Sequence, residues 1–352
     1  MIPRPLSALV LALTLSLVAA ACATDADPNT TASVAAETAA TDTATTDPDP
    51  TASEATTSET TASETSASET TASETTASET TAESMIRDSG LAVTVQPIGD
   101  LVVHSLTPPE MAFANSTHII ETTNALVVID TQFLLPNATD FRAYADSLGK
   151  PIDRVFITHA HPDHFLGSEA FADLPVFALD AVSAAIAANG DAEVEEKQGD
   201  FGSEAIAGTY VVPEVIEPGT IEIDGVEFEL TEVTDAEAEV QLVVRVPEAG
   251  VVATGDIVYS GIHLILAGPA DTWTAALQEL ADNGDSIVLP GHGVPSDSSV
   301  FDANIEWLAT AGELLATVDT AEAFKQGLID AFPDLGMTGA IDFVTPFLFP
   351  EE

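Results

Sequence analysis

Seven consecutive residues, Thr158-His159-Ala160-His161-Pro162-Asp163-His164, place three imidazoles and a carboxylate within six positions. Imidazole nitrogens and carboxylate oxygens are the groups that Zn²⁺ and similar cations accept at neutral pH. A lone histidine beside an apolar strand is usually a hydrogen-bonded structural residue. Three of the chain's seven histidines inside six positions do not fit that explanation. A strand predicted over Arg154–Thr158 runs straight into the segment, and Pro162 stiffens the turn, so several side chains can converge on one point. No Gly-X-Ser-X-Gly nucleophile elbow occurs, which leaves water activated by a metal as the natural nucleophile.

Three further segments carry chemistry in a recognisable order: Val127-Val128-Ile129-Asp130, Ala253-Thr254-Gly255-Asp256 and Pro290-Gly291-His292-Gly293. With them, His159-X-His161-X-Asp163-His164 resembles the signature of the metallo-β-lactamase-fold superfamily, over most of residues 92–300. The resemblance implies an α/β fold, an αββα sandwich with a one- or two-metal site at one edge of its sheets. It implies that His159 and His161 hold a first metal, that Asp163, His164 and His292 hold a second, and that Asp256 bridges them. The implied cofactor is Zn²⁺, two per chain, with iron or manganese as the alternative. Asp163 would both bind metal and guide the proton of the attacking water.

The chain departs from the superfamily pattern at one ligand. The usual Gly-His-Thr segment is replaced by Thr234-Asp235-Ala236-Glu237-Ala238-Glu239, and counting back from Pro247 places Glu237 at the ligand position. A carboxylate there adds negative charge and makes the metal less Lewis acidic. The chain resembles a divergent subset with Glu at this point and a Tyr-Asn-X-X-His segment after the bridging Asp. Here that segment reads Tyr259-Ser260-Gly261-Ile262-His263. His263 is therefore expected to be either a substitute ligand or a catalytic proton donor, and Glu237 either a ligand or one more surface acid. His118 is expected to be structural, His104 to lie on a strand surface, and Trp273 to pack rather than stack on substrate.

The implied function is hydrolysis by a metal-activated hydroxide of an ester, lactone, amide, thioester or phosphodiester-type small molecule. Two alternatives remain: an iron-dependent oxidoreductase like a persulfide dioxygenase, and a non-catalytic metal-binding module with a degenerate first site. The fold hosts many chemistries, so it does not choose the substrate.

Positioning these residues requires strands that end together. Period-two apolar runs predict strands over Ala92–Ile98, Leu101–Ser105, Thr117–Glu121, Ala125–Ile129, Pro175–Ala178, Thr220–Ile223, Val226–Thr231, Val240–Val246, Val251–Ala253 and Ser286–Leu289. Helices are predicted over Ala138–Leu148, Ala181–Ala188, Thr272–Ala281, Ser299–Leu315 and Ala321–Ala331. Two strand-rich blocks, each followed by helices, predict two packed sheets with helices outside.

The remaining chain is of a different kind. Residues 1–22 open with Arg4, continue as an apolar run from Leu6 to Val18, and end in Ala19-Ala20-Ala21-Cys22, which describes a secretory signal peptide. Cys22, the sole cysteine, resembles a lipobox cysteine that becomes lipidated, with ordinary signal-peptide cleavage as the alternative. Residues 23–88 are almost entirely Thr, Ala, Ser, Glu, Asp and Pro, with glutamates five apart from Glu54 to Glu79. Such a spacer cannot bury enough apolar surface to offset its ordering entropy and is expected to be disordered, spanning on the order of 45 Å. The expected organisation is thus leader, linker and one catalytic domain over 89–352, held to the cell envelope by its N-terminal lipid.

Fifty-eight acids against eight Lys plus Arg give a formal charge of −50. That balance excludes nucleic-acid binding and a polybasic lipid patch. The domain carries 44 of the acids, a surplus that suggests adaptation to high salt.

Overall fold

The computed structural model describes residues 83–350. The expectations for the leader, for Cys22 and for most of the linker lie outside the described residues.

Two β-sheets form the middle of the fold. The first has eight strands in chain order: β1 (Glu83–Ile86), β2 (Ala92–Ile98), β3 (Leu101–Thr107), β4 (Thr117–Glu121), β5 (Leu126–Ile129), β6 (Ile152–Phe156), β7 (Val176–Ala178) and β8 (Glu214–Val215). Strands β1–β5 are an antiparallel meander, and β5–β8 are parallel. The parallel connections cross over through α1 (Leu135–Ser147), the short α2 (Pro162–Phe165) and α3 (Asp180–Phe201). The second sheet contains β9 (Gly219–Ile223), β10 (Val226–Thr234), β11 (Val240–Val246), β12 (Val251–Ser260) and β13 (Ile287–Gly293). Only its last pair, β12 and β13, is parallel, joined through α4 (Ala270–Asp282). Three helices follow: α5 (Ser299–Thr317), α6 (Ala321–Ala331) and α7 (Ala340–Leu348).

Alternation along the strands decides the layers. Leu242, Val244, Val246, Val251 and Ala253 point into the core shared with the first sheet. Val243, Val252 and Val288 point the other way, into a second core formed with α4–α7, where Trp273, Trp307 and Phe324 are buried. The result is the expected αββα sandwich.

Several boundaries differ from the sequence-based expectation. Strand β1 lies inside the segment expected to be linker, because Glu83–Ile86 pairs with Ala92–Val95. Helix α3 runs far past Ala188: Gly190 sits at a close approach to the Tyr210 ring rather than at a helix end. Strand β12 continues past Ala253 through a bulge at Gly255 (φ 55°), which re-aims the chain at Asp256. Helix α7 was not expected, since Pro346 lies inside it. His104 is a correction as well. It is buried, not a strand-surface residue, because β3 is an interior strand: its Nδ1 meets the Tyr144 hydroxyl of α1 and its Nε2 the Glu121 carboxylate, both at 2.7 Å.

Candidate metal centre

Six of the seven expected ligands lie on strands or on the segment that directly follows one. His159, His161, Asp163 and His164 follow β6, Asp256 lies on β12 and His292 on β13. Glu237 lies in the turn between β10 and β11. The side chains gather into two groups, His159–His161–Glu237–Asp256 and Asp163–His164–His292, with the potential ligand atoms of each within 4.8 Å of one another. This is the division expected from the motif, and Glu237 falls in the group of His159 and His161. Asp256 Oδ2 lies 3.5 Å from His159 Nε2 and 3.1 Å from His292 Nε2, so one carboxylate reaches both groups.

The polar atoms around the ligands set their tautomers. Asp130, at the end of β5, has a left-handed backbone (φ 58°). Its Oδ1 accepts from the Thr158 amide and its Oδ2 from both the Thr158 hydroxyl and His164 Nδ1–H, at 2.8–2.9 Å. With its hydroxyl proton committed to Asp130, Thr158 accepts from His159 Nδ1–H at 2.9 Å. His292 Nδ1–H donates to the Phe113 carbonyl at 2.7 Å. All three rings therefore turn Nε2 toward the cluster. Outer partners of this kind orient metal ligands and raise their basicity. His161 instead presents Nδ1, 2.9 Å from His159 Nε2 and 3.6 Å from Glu237 Oε2.

Two close glycine contacts hold the carboxylates. A Cβ on Gly291 would overlap Asp256 Oδ1, and one on Gly268 would overlap the Ala236 carbonyl and crowd the Glu237 backbone. Asn115 Nδ2 donates to the Asp163 carbonyl at 2.6 Å, and Gln241 Oε1 accepts from the Asp256 amide at 3.0 Å. Tyr259 lies parallel to His292 and donates its hydroxyl to Asp256 Oδ2 at 3.3 Å. Sequence reasoning gave no role to Asn115, Gln241 or Tyr259. Tyr259 alone had a signal, its place three residues after the bridging Asp.

The residues fit cations. His164 Nε2, Glu237 Oε2 and Asp256 Oδ1 are buried without hydrogen-bond partners. His164 Nε2 and Asp256 Oδ1 face each other at 3.1 Å but are not aligned to bond. Unpartnered buried donors and acceptors are costly and call for a further occupant. The electrostatics agree. Burial works against the charges of Asp163 and Asp256, yet the neighbouring histidines, His164 first and His292 with it, together outweigh it and hold both carboxyls well below the usual range. Burial pushes the Glu237 carboxyl up. His159 is pushed down to about 4, by burial first and by His164 second.

His263 is not part of this site. After Ser260 the chain turns at Gly261 (φ 73°), and the His263 amide donates to the Gly336 carbonyl. Its ring is buried beside Trp307, whose Nε1–H donates to His263 Nδ1 at 3.1 Å. His263 belongs to neither ligand group, so the structure does not bring it among the ligands. His118 and Trp273 are structural as expected. His118 bridges the Ser105 hydroxyl and the Pro290 carbonyl, and the Trp273 indole donates to the Ile257 carbonyl.

One open side of the cluster forms a pocket. His161, Asp163, Glu237, Asp256 and His292 line its floor; Phe113, Phe133, Ile265, Ala267 and Phe343 line its walls, with Lys197 at one side.

An αββα sandwich with histidines and carboxylates in two groups at the strand ends defines a class of metal-binding proteins. The sequence profile of the metallo-beta-lactamase superfamily matches residues 112–292, and the chain belongs to that superfamily. No curated protein matches the chain in sequence. Among solved structures, it is similar to a metallo-beta-lactamase from Pontibacter korlensis, at 18% identity over 65% of this chain and 99% of that one, with a TM-score of 0.47. It is also similar to the mono-zinc form of FIM-1 from Pseudomonas aeruginosa, at 19% identity over 62% and 96%, with a TM-score of 0.48.

Proposed function

We propose that the chain is a metal-dependent hydrolase of small molecules. The observation that carries this reading is the seven-residue cluster itself, which holds unpartnered buried atoms and of which Glu237 and Asp256, each with such an atom, line a pocket. His159, His161 and Glu237 would hold one Zn²⁺, Asp163, His164 and His292 a second, with Asp256 shared. This is the divergent arrangement with Glu in place of the third histidine. Bound there, the metal supplies Lewis acidity, which lowers the pKa of water and polarises a substrate oxygen. Asp163 is the more open of the two central carboxylates, 16% exposed against 2% for Asp256. Its Oδ2 is the atom placed to orient the attacking water, take its proton and return it to the leaving group. Tyr259 and Gln241 keep Asp256 fixed while this happens.

Elemental analysis of the purified full-length protein tests the reading, followed by a screen of β-lactam, lactone, ester, thioester and phosphodiester substrates. Two zinc per chain with turnover of one of these substrates is expected. One iron per chain would replace hydrolysis with oxidation, and no stoichiometric metal would leave a non-catalytic module. Glu237→Ala should lower the metal content toward one; unchanged metal content and rate would remove Glu237 from the ligand set.

We also propose that the protein is an extracytoplasmic lipoprotein whose linker holds the domain off the membrane, touching it through the lipid on Cys22 alone. The support is the apolar run Leu6–Val18 before Ala19-Ala20-Ala21-Cys22. Loss of palmitate labelling and release from the membrane fraction in Cys22→Ser is the expected outcome.

A further inference from the structure

The pocket beside the cluster has an aromatic wall drawn from three separate segments of the chain, with a phenylalanine of a fourth packed behind it. Phe113 precedes β4, Phe133 follows β5, Phe201 ends α3 and Phe343 lies on α7. The Phe113 ring stands 5.5 Å from Phe133 and 5.5 Å from Phe343, and Phe133 stands 5.2 Å from Phe201, centroid to centroid. Phe113 and Phe343 are only half-buried, and both line the pocket. Phe113 also has a strained left-handed backbone (φ 62°), as does Ala114 (φ 50°). Such conformations cost about 1–3 kcal/mol each and persist where the surroundings hold them. Here one residue serves two ends: its carbonyl accepts from His292 Nδ1–H while its ring stands in the wall. The apolar wall is therefore built directly onto a ligand of the metal centre. Phe343 lies beyond the segment that matches the superfamily profile.

Charge points the same way. Lys197 is the one Lys or Arg among the described residues that line the pocket. It is ion-paired with Glu196 at 2.8 Å and lies 3.7 Å from Glu193, so the pocket gains no net positive charge from it. The whole chain carries −50. An anionic substrate would meet repulsion outside the pocket and no uncompensated side-chain cation within it.

We infer that the pocket takes a neutral carboxylic ester, lactone or thioester with an apolar acyl group, the group packing on Phe113, Phe133 and Phe343 while the carbonyl meets the metal cluster. This rests on the hydrolase reading and narrows it, setting phosphodiesters aside. Each methylene that enters such a wall is worth about fourfold in affinity.

The test uses the full-length zinc-loaded protein and two series of graded chain length. The first is the 4-nitrophenyl esters from acetate through butyrate and hexanoate to octanoate, with bis(4-nitrophenyl) phosphate beside them. The second is the matching alkyl hydroxamates, followed by calorimetric binding. Both kcat/KM and hydroxamate affinity should rise by up to about fourfold per methylene, and Phe343→Ala should flatten both slopes, with Phe343→Leu restoring most of them. Hydrolysis that does not depend on chain length, or a preference for the phosphodiester, overturns the inference and leaves the hydrolase reading standing. A chain-length slope in binding without turnover of any of these esters, or of any β-lactam, lactone, thioester or phosphodiester of the wider screen, sustains the pocket assignment and sinks the hydrolase reading. A flat series in binding on the wild-type chain overturns the inference even if the variants fail to fold.

Discussion

The Tyr259 ring lies on the His292 imidazole with centroids 4.9 Å apart and planes within 3°. From that position its hydroxyl donates to Asp256 Oδ2. A ligand of one metal group and the shared carboxylate are thereby held by a single side chain. Burial, with Asp256 and Glu237 adding to it, pushes the Tyr259 hydroxyl pKa well above its usual value, so the group stays a donor.

Tyr259→Phe keeps the stack and removes the donor. Metal affinity or turnover should fall by about 10- to 100-fold, the usual cost of losing an outer partner of a ligand. Competition with a chelating dye and steady-state rates would show it. Wild-type values for both would mean that the hydroxyl does not position Asp256.

Asp130→Asn attacks the opposite side of the cluster. Asp130 accepts three hydrogen bonds, from the Thr158 amide, the Thr158 hydroxyl and His164 Nδ1–H. An amide in its place turns an NH₂ toward a donor. Stability should drop by about 1–3 kcal/mol, and metal should be lost at lower chelator concentration. Denaturant titration of the metal-free chain separates the two effects. A variant as stable as the parent would show that the three bonds are dispensable.

Gly268→Ala tests how Glu237 is held. The added methyl would overlap the Ala236 carbonyl, so the turn carrying Glu237 must shift. The expected result is a loss of about 1–3 kcal/mol of stability together with loss of one metal per chain. A variant that keeps two metals would show that Glu237 does not depend on this contact.

Zinc uptake should release protons. Burial opposes a charge on His161, but the Glu237, Asp256 and Asp163 carboxylates outweigh it and push its pKa up to about 9. Burial also raises Glu237, 3.6 Å away, so the pair keeps a proton at neutral pH when no metal is bound. A ligand must lose its proton to bind. Affinity should therefore climb by about tenfold per pH unit for each proton displaced, up to about pH 9, and weaken as pH falls. Calorimetry at pH 7 in buffers of different ionisation enthalpy counts the protons, and a count of zero would reject this protonation state.

Much of the site was legible because its residues are local in sequence. His159, His161, Asp163 and His164 lie on one loop, so their convergence needs no long-range information. Asp256 and His292 were legible through short segments in a fixed order. His263 misled because its distance in sequence from Asp256 says nothing of direction: Gly261 turns the chain, and the ring goes under Trp307. His104 misled because strand alternation states a face but not whether a helix covers it, and α1 does.

The sequence by itself determined the ligand types, the strand periods and the acidic balance, all properties of neighbouring residues. Only the tertiary structure decided that Glu237 joins His159 and His161, that Tyr259 ties His292 to Asp256, and that Phe343 reaches Phe113. In these contacts Glu237 lies 76 positions from His161, Tyr259 lies 33 from His292, and Phe343 lies 230 from Phe113. They depend on which strand ends meet at one sheet edge, and the closing of two packed sheets sets that geometry.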